Sequence, residues 1–136
     1  YPIQDLPFLK RIGKYMLPGD EIALKAEPDF IGIQNYTREI VKHSYFTPYI
    51  NSSLVNAKNR VDEVTEMAWE IYPQAMHEML HQFSKYKFKK LYVTENGAAF
   101  PDIVEDGKVN DIKRKNYLQS NIAEILKTKK KDCSPL

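Results

Sequence analysis

Two short runs decide most of what this chain can become. Phe30-Ile31-Gly32-Ile33 follows the breaker Pro28-Asp29, and Leu91-Tyr92-Val93-Thr94 is cut off by Glu95-Asn96-Gly97. Continuous apolar runs of this length suit strands covered on both faces, as in parallel sheets. Between them lies a helix signal. Pro73 suits a first helical turn, and Met76, Met79, Leu80 and Phe83 then follow the i, i+3, i+4, i+7 pattern to about Tyr86. A Met pair on such a stripe reads as core filler rather than a cofactor site. After the second run come a turn at Glu105-Asp106-Gly107-Lys108 and a last helix. Asp111 is its expected N-cap, and Leu118, Ile122, Ile125 and Leu126 its apolar stripe. Upstream, Leu6, Leu9 and Ile12, with Tyr15 and Met16, predict another helix, broken by Leu17-Pro18-Gly19-Asp20. A short charged helix is expected from Asp20 to about Ala26. Strands alternating with helices imply an α/β fold with parallel pairing through right-handed crossovers.

The stretch from about Thr37 to Met67 lacks clear periodicity. It is expected to be irregular, either a lid or binding loop or a tolerated insertion. No internal repeat or low-complexity tract is visible.

Composition removes several classes. The chain has 136 residues, 43% apolar, with 20 Lys+Arg against 18 Asp+Glu. That near balance argues against a nucleic-acid partner, whose electrostatic footprint is stronger. No run approaches the roughly 18 to 20 apolar residues of a membrane span, so no membrane partner is expected. The single cysteine, Cys133, excludes an internal disulfide framework and a cysteine-ligated zinc site. No metal and no cofactor are implied. Lys127, Lys129, Lys130 and Lys131 crowd the end of the last helix, as cations favoured at a helix C-terminus on a solvated face.

In α/β folds of this kind chemistry sits at the carboxyl ends of strands. Gln34-Asn35-Tyr36-Thr37 and Thr94-Glu95-Asn96-Gly97 occupy those places. Glu95 stands out, because a carboxylate on a strand end is held more rigidly than one on a loop tip. Gly97 permits a sharp turn just after it. Taken alone, the same residue also fits a strand-terminating glutamate that points into water.

Three strings narrow the reading. Asp29-Phe30-Ile31-Gly32-Ile33-Gln34-Asn35-Tyr36-Thr37, Trp69-Glu70-Ile71-Tyr72-Pro73 and Leu91-Tyr92-Val93-Thr94-Glu95-Asn96-Gly97 occur in that order, and together they resemble family 1 glycoside hydrolases, the β-glucosidase family. Asp102, Asp106-Gly107-Lys108-Val109, Asp111 and Tyr117-Leu118 also fit that pattern, so the resemblance covers essentially the whole chain. It implies a (β/α)8 TIM barrel of which residues 1–136 form a partial segment supplying about the sixth and seventh strands. It implies retaining hydrolysis of a β-glycoside small-molecule substrate, most often a β-glucoside, through a covalent glycosyl-enzyme. Glu95 would be the nucleophile. Tyr36 would donate a hydrogen bond to it, favouring its charged form. Trp69 would line the leaving-group site with a flat apolar face and an N–H, and Gln34 would approach the sugar.

The chain departs from the family pattern in three ways. Gln34 stands where an asparagine is usual, one methylene longer. Ala68 stands where glycine is commoner before the tryptophan. A retaining glycosidase also needs a second carboxyl group about 5 to 5.5 Å from the nucleophile. The family carries it in an Asn-Glu-Pro motif after the fourth strand. The similar string here, Ala26-Glu27-Pro28, precedes a strand and so lies at the inactive end. A complete barrel takes roughly 250 residues. The chain is therefore expected to be a segment that needs the remainder of the barrel and is inactive alone. The other readings are a non-catalytic sugar- or protein-binding relative of the same barrel, a phospho-β-glycosidase or thioglycosidase, and a small autonomous α/β domain.

Overall fold

A computed structural model describes residues 7–131 except 26 and 87. Leu6, Ala26 and Cys133, which figured in the sequence reading, lie outside the described residues. The first element is a 3-10 helix over Pro7–Tyr15, followed by the short helix α1 (Asp20–Ala23). The Asp20 carboxylate accepts the Leu17 N–H at 2.8 Å and so closes the Leu17–Asp20 turn. The two apolar runs form strands β1 (Ile31–Gln34) and β4 (Leu91–Glu95), which pair in parallel. Between them come β2 (Ile40–His43), β3 (Ser52–Val55) and the helix α2 (Gln74–Ser84). Beyond β4 lie β5 (Val104–Glu105), β6 (Lys108–Val109) and the long helix α3 (Ile112–Lys131). Among the described residues no helix is long and apolar enough to cross a membrane.

The core forms where α2 and α3 cover one face of the parallel pair. Ile33, Met76 and Leu80 are buried there, and Ile31, Met79, Phe83, Leu91, Val93 and Ile125 pack around them. The α2 stripe therefore lies where its periodicity puts it. At the far end His77 Nδ1 and Thr128 Oγ1 are 2.7 Å apart. The threonine hydroxyl donates to the Glu124 carbonyl, so it accepts from the histidine N–H. Asp106 and Gly107 both have positive φ, 50° and 72°. That is the two-residue Asp-Gly turn that suits a β-hairpin, and β5 and β6 flank it.

Two expectations need correction. The 37–67 stretch is not irregular throughout, because β2 and β3 pair as an antiparallel hairpin followed by a 3-10 turn over Ala57–Asn59. Neither strand buries a face, with Val41 and Leu54 both about three-fifths exposed. The sequence therefore carries no alternation, and the connection 44–51 lacks a short-turn signature. In α3, Leu118, Ile122 and Leu126 face outward, and only Ile125 of the expected stripe packs on the core. The buried positions are Tyr117, Asn121 and Thr128. Two of these are polar residues that satisfy themselves on the helix backbone, as when Asn121 Nδ2 donates to the Tyr117 carbonyl at 2.9 Å. Hydrophobic periodicity cannot see such a face.

Candidate active site

The pairing of β1 with β4 sets the geometry of the strand ends. Ile33 pairs with Val93, but Gln34 pairs with Glu95, so Thr94 is an extra residue in the ladder. Such a bulge re-aims the side chains beside it. Opposite it, Gly32 leaves just enough room, since a Cβ there would come within 2.9 Å of Thr94 Cγ2. Thr94 Oγ1 donates to the Ile33 carbonyl, and the Asn35 N–H donates to the Glu95 carbonyl at 3.1 Å. The two chain ends thus leave the sheet side by side, with the exposed Gln34 next to Glu95.

Just past this point the Tyr36 hydroxyl donates a hydrogen bond to Glu95 Oε2. That bond, reinforced by burial, raises the phenol above its ordinary pKa of 10.0, because ionised Tyr36 would face the carboxylate. The Tyr36 ring lies 5.7 Å from that of Trp69, tilted by 49°. The sequence-predicted residues Gln34, Tyr36, Trp69 and Glu95 are therefore brought together at one end of the parallel pair. Glu27 precedes β1 and lies toward the other end.

Trp69 is not on a helix. It belongs to a tight turn five residues earlier, closed by Ala68 N–H to Thr65 carbonyl at 2.8 Å and Thr65 N–H to Trp69 carbonyl at 3.0 Å. Ala68 sits at φ 58° in this turn, the left-handed region that favours glycine. The glycine-to-alanine departure therefore falls on a position with a backbone cost. The next residue, Glu70, is 4% exposed and accepts bonds from Arg38 Nε and Nη2, both at 3.0 Å, and from Arg60 Nη2 at 2.9 Å. These two guanidinium groups outweigh burial and hold the carboxyl at about 2. Thr37 Oγ1 donates to the Glu70 carbonyl at 2.9 Å, and the Arg38 guanidinium lies 3.4 Å over the Tyr72 ring. The segment after Tyr36 and the segment bearing Trp69 are thus clamped through one buried carboxylate.

A second linkage comes from α3. Tyr117 is 3% exposed, and its hydroxyl donates to the Tyr36 carbonyl at 2.7 Å. Asn96 Nδ2 donates to the Asn35 carbonyl at 2.7 Å and to the Tyr117 hydroxyl at 3.2 Å. Burial raises the Tyr117 phenol, against the lowering effect of the Asn96 bond. Arg114, one helical turn earlier, fixes the 98–102 loop through the Ala98 and Phe100 carbonyls and Asp102. It also takes up the Asp111 carboxylate at 2.6 Å. Sequence reasoning did not assign Glu70, Asn96 or Tyr117 a role. The one available signal was a charged residue, Glu70, inside the apolar string Trp69-Glu70-Ile71-Tyr72.

A carboxylate, a phenol and an indole gathered at the carboxyl ends of parallel strands make a candidate active site of the kind that α/β folds carry there. The family model described as glycosyl hydrolase family 1 matches residues 10–136, and the chain belongs to that family. Relatives include a 1,4-beta-D-glucan glucohydrolase of Thermotoga neapolitana, 34% identical over 92% of this chain and 29% of that protein. A 6-phospho-beta-galactosidase of Clostridium acetobutylicum is 32% identical over 74% of this chain and 25% of its own length. The solved family 1 β-glucosidase from Thermotoga maritima superposes with a TM-score of 0.74 at 30% identity, over 91% of this chain and 28% of that one. The chain thus spans a little over a quarter of the length of the β-glucosidase-type proteins it matches, and its α/β-barrel assignment follows from that kinship.

Proposed function

We propose that residues 1–136 supply the nucleophile side of a retaining β-glycosidase, as about the sixth and seventh strands of its (β/α)8 barrel. The observation that carries this reading is the Tyr36 hydroxyl donating to Glu95 Oε2 at the ends of adjacent parallel strands. The outward apolar stripe of α3 supports a need for the rest of the barrel, since it would be covered there.

In this reading Glu95 attacks the anomeric carbon of a β-glycoside from the α face. The bond to the aglycone oxygen breaks, and that oxygen takes a proton from a carboxylic acid outside this segment. Water then attacks the glycosyl-enzyme, gives its proton to the same outside group, and releases Glu95 as carboxylate. Tyr36 orients the nucleophile and must let go of part of its bond as the ester forms. Trp69 offers the leaving group an apolar face, and Gln34 lies at the strand end beside the sugar. The segment alone, lacking the acid, is inactive.

Glu95→Gly in the full-length protein carrying this segment tests the reading. Hydrolysis should be lost, and azide should restore cleavage of a dinitrophenyl β-glucoside with the α-glycosyl azide as product. Undiminished hydrolysis would sink the assignment. The kinship to a 6-phospho-β-galactosidase favours a second reading, in which the same carboxylate acts on a phosphorylated glycoside. A preference of the full-length protein for 6-phosphoglycosides over neutral ones would select it.

A further inference from the structure

A buried hydroxyl is costly unless it is bonded, and phenylalanine would fill the same space without that cost. The Tyr117 hydroxyl is satisfied on both sides, by the Asn96 amide and the Tyr36 carbonyl. Those two partners follow different strands, β4 and β1, while Tyr117 itself comes from α3. One atom thereby ties together the two turns that carry Glu95 and its hydroxyl donor. Each turn has other anchors, Asn35 N–H on the Glu95 carbonyl, Asn96 Nδ2 on the Asn35 carbonyl and Thr37 and Arg38 on Glu70, but it is Tyr117 that holds the Tyr36 carbonyl itself. The Tyr36 side chain is committed to Glu95, so its backbone carbonyl is the part that Tyr117 holds.

We propose that Tyr117 is a positioning residue for the reaction, holding the Tyr36 backbone so that the Tyr36 phenol meets Glu95. The proposal rests on the reading of Glu95 as nucleophile. Tyr117 does not touch the reacting atoms and acts through Tyr36. Small misplacements of a reacting group can cost about a hundredfold in rate, so the loss of this tether should be read in turnover rather than in substrate affinity.

The test is Tyr117→Phe in the full-length protein, with kcat expressed per active site titrated by a slow-turnover 2-deoxy-2-fluoroglycoside. The expected result is a kcat lower by about 10- to 100-fold with KM changed less than about threefold. In a Tyr36→Phe background the same substitution should cost less than about threefold, because its route of action is gone. Should Tyr117→Phe give too little folded protein, 4-fluorophenylalanine at position 117, which fills the hydroxyl's space without an O–H to donate, takes its place and should show the same coupling to Tyr36→Phe. A per-site kcat equal to wild type, or an equal loss in both backgrounds, overturns the proposal. The Glu95→Gly control separates the two ideas. Full turnover in that control overturns both the nucleophile reading and this one. Its inactivity beside a wild-type kcat for Tyr117→Phe overturns positioning alone.

Discussion

Replacing Glu70 by glutamine should loosen the Trp69 segment by an amount the geometry sets. The Glu70 carboxylate is buried and accepts three bonds from two guanidinium groups. Its pKa lies at about 2 against an ordinary 4.5. At about 1.4 kcal/mol per pH unit that difference corresponds to roughly 3 kcal/mol of preference for the charged form in the folded state. Breaking a buried ion pair by removing one partner costs about 3 to 5 kcal/mol. Arg38 and Arg60 remain partly solvated, at 34% and 21% side-chain exposure, which favours the lower figure. An opening free energy lower by about 3 kcal/mol raises local hydrogen exchange by roughly a hundredfold. The amides to follow are Thr65, Ala68 and Trp69, whose bonds close the turn beside Glu70. The pH dependence has a definite sign. Because the folded pKa is depressed, the contribution is whole above about 4.5 and fades as pH falls toward 2. Hydrogen-exchange mass spectrometry of the full-length protein at neutral pH measures the effect. A change below about fivefold in Glu70→Gln would refute the clamp.

Other substitutions probe separate parts of the account. Ala68→Gly should stabilise, since a left-handed non-glycine residue costs about 1 to 2 kcal/mol and glycine gives back about 0.4 to 1 through the unfolded chain; a Tm raised by about 2 °C is expected, and a lower Tm would contradict the φ of 58°. Gly32→Ala should cost about 1 to 3 kcal/mol by pressing on Thr94 Cγ2. Adding Thr94→Ser, which deletes that methyl group, should recover most of the loss in a denaturation curve, and no recovery would deny the contact. Trp69→Ala should raise KM for aryl glycosides by about tenfold, with a smaller change in kcat, if the indole is an aglycone platform. Equal loss with aryl and methyl glycosides would argue for a purely structural indole.

Much of this architecture is written in local pattern. The runs at Ile31 and Leu91, the α2 stripe and the Asp106-Gly107 turn each carry a short-range signal that survives into the fold. The α3 face does not, because Tyr117 and Thr128 bond the Tyr36 carbonyl and α2 His77, and Asn121 bonds its own helix backbone, so the buried face is not marked by apolarity. The hairpin of β2 and β3 escapes notice because it buries neither face. At the site, Glu95, Tyr36 and Trp69 are legible through motif resemblance. What brings them into one place is the Thr94 bulge and the bonds of Glu70, Asn96 and Tyr117. These link residues far apart in the chain, and no spacing rule anticipates them.

The central claim is that Glu95 becomes covalently glycosylated. Incubating the full-length protein with a 2-deoxy-2-fluoro-β-glucoside bearing a dinitrophenolate leaving group, followed by digestion and peptide sequencing by mass spectrometry, tests it directly. The account predicts one added fluoroglucosyl group, on the peptide spanning Leu91 to Gly97 and specifically on Glu95. A label on any other carboxylate, or an unlabelled enzyme that still hydrolyses β-glycosides, would contradict it.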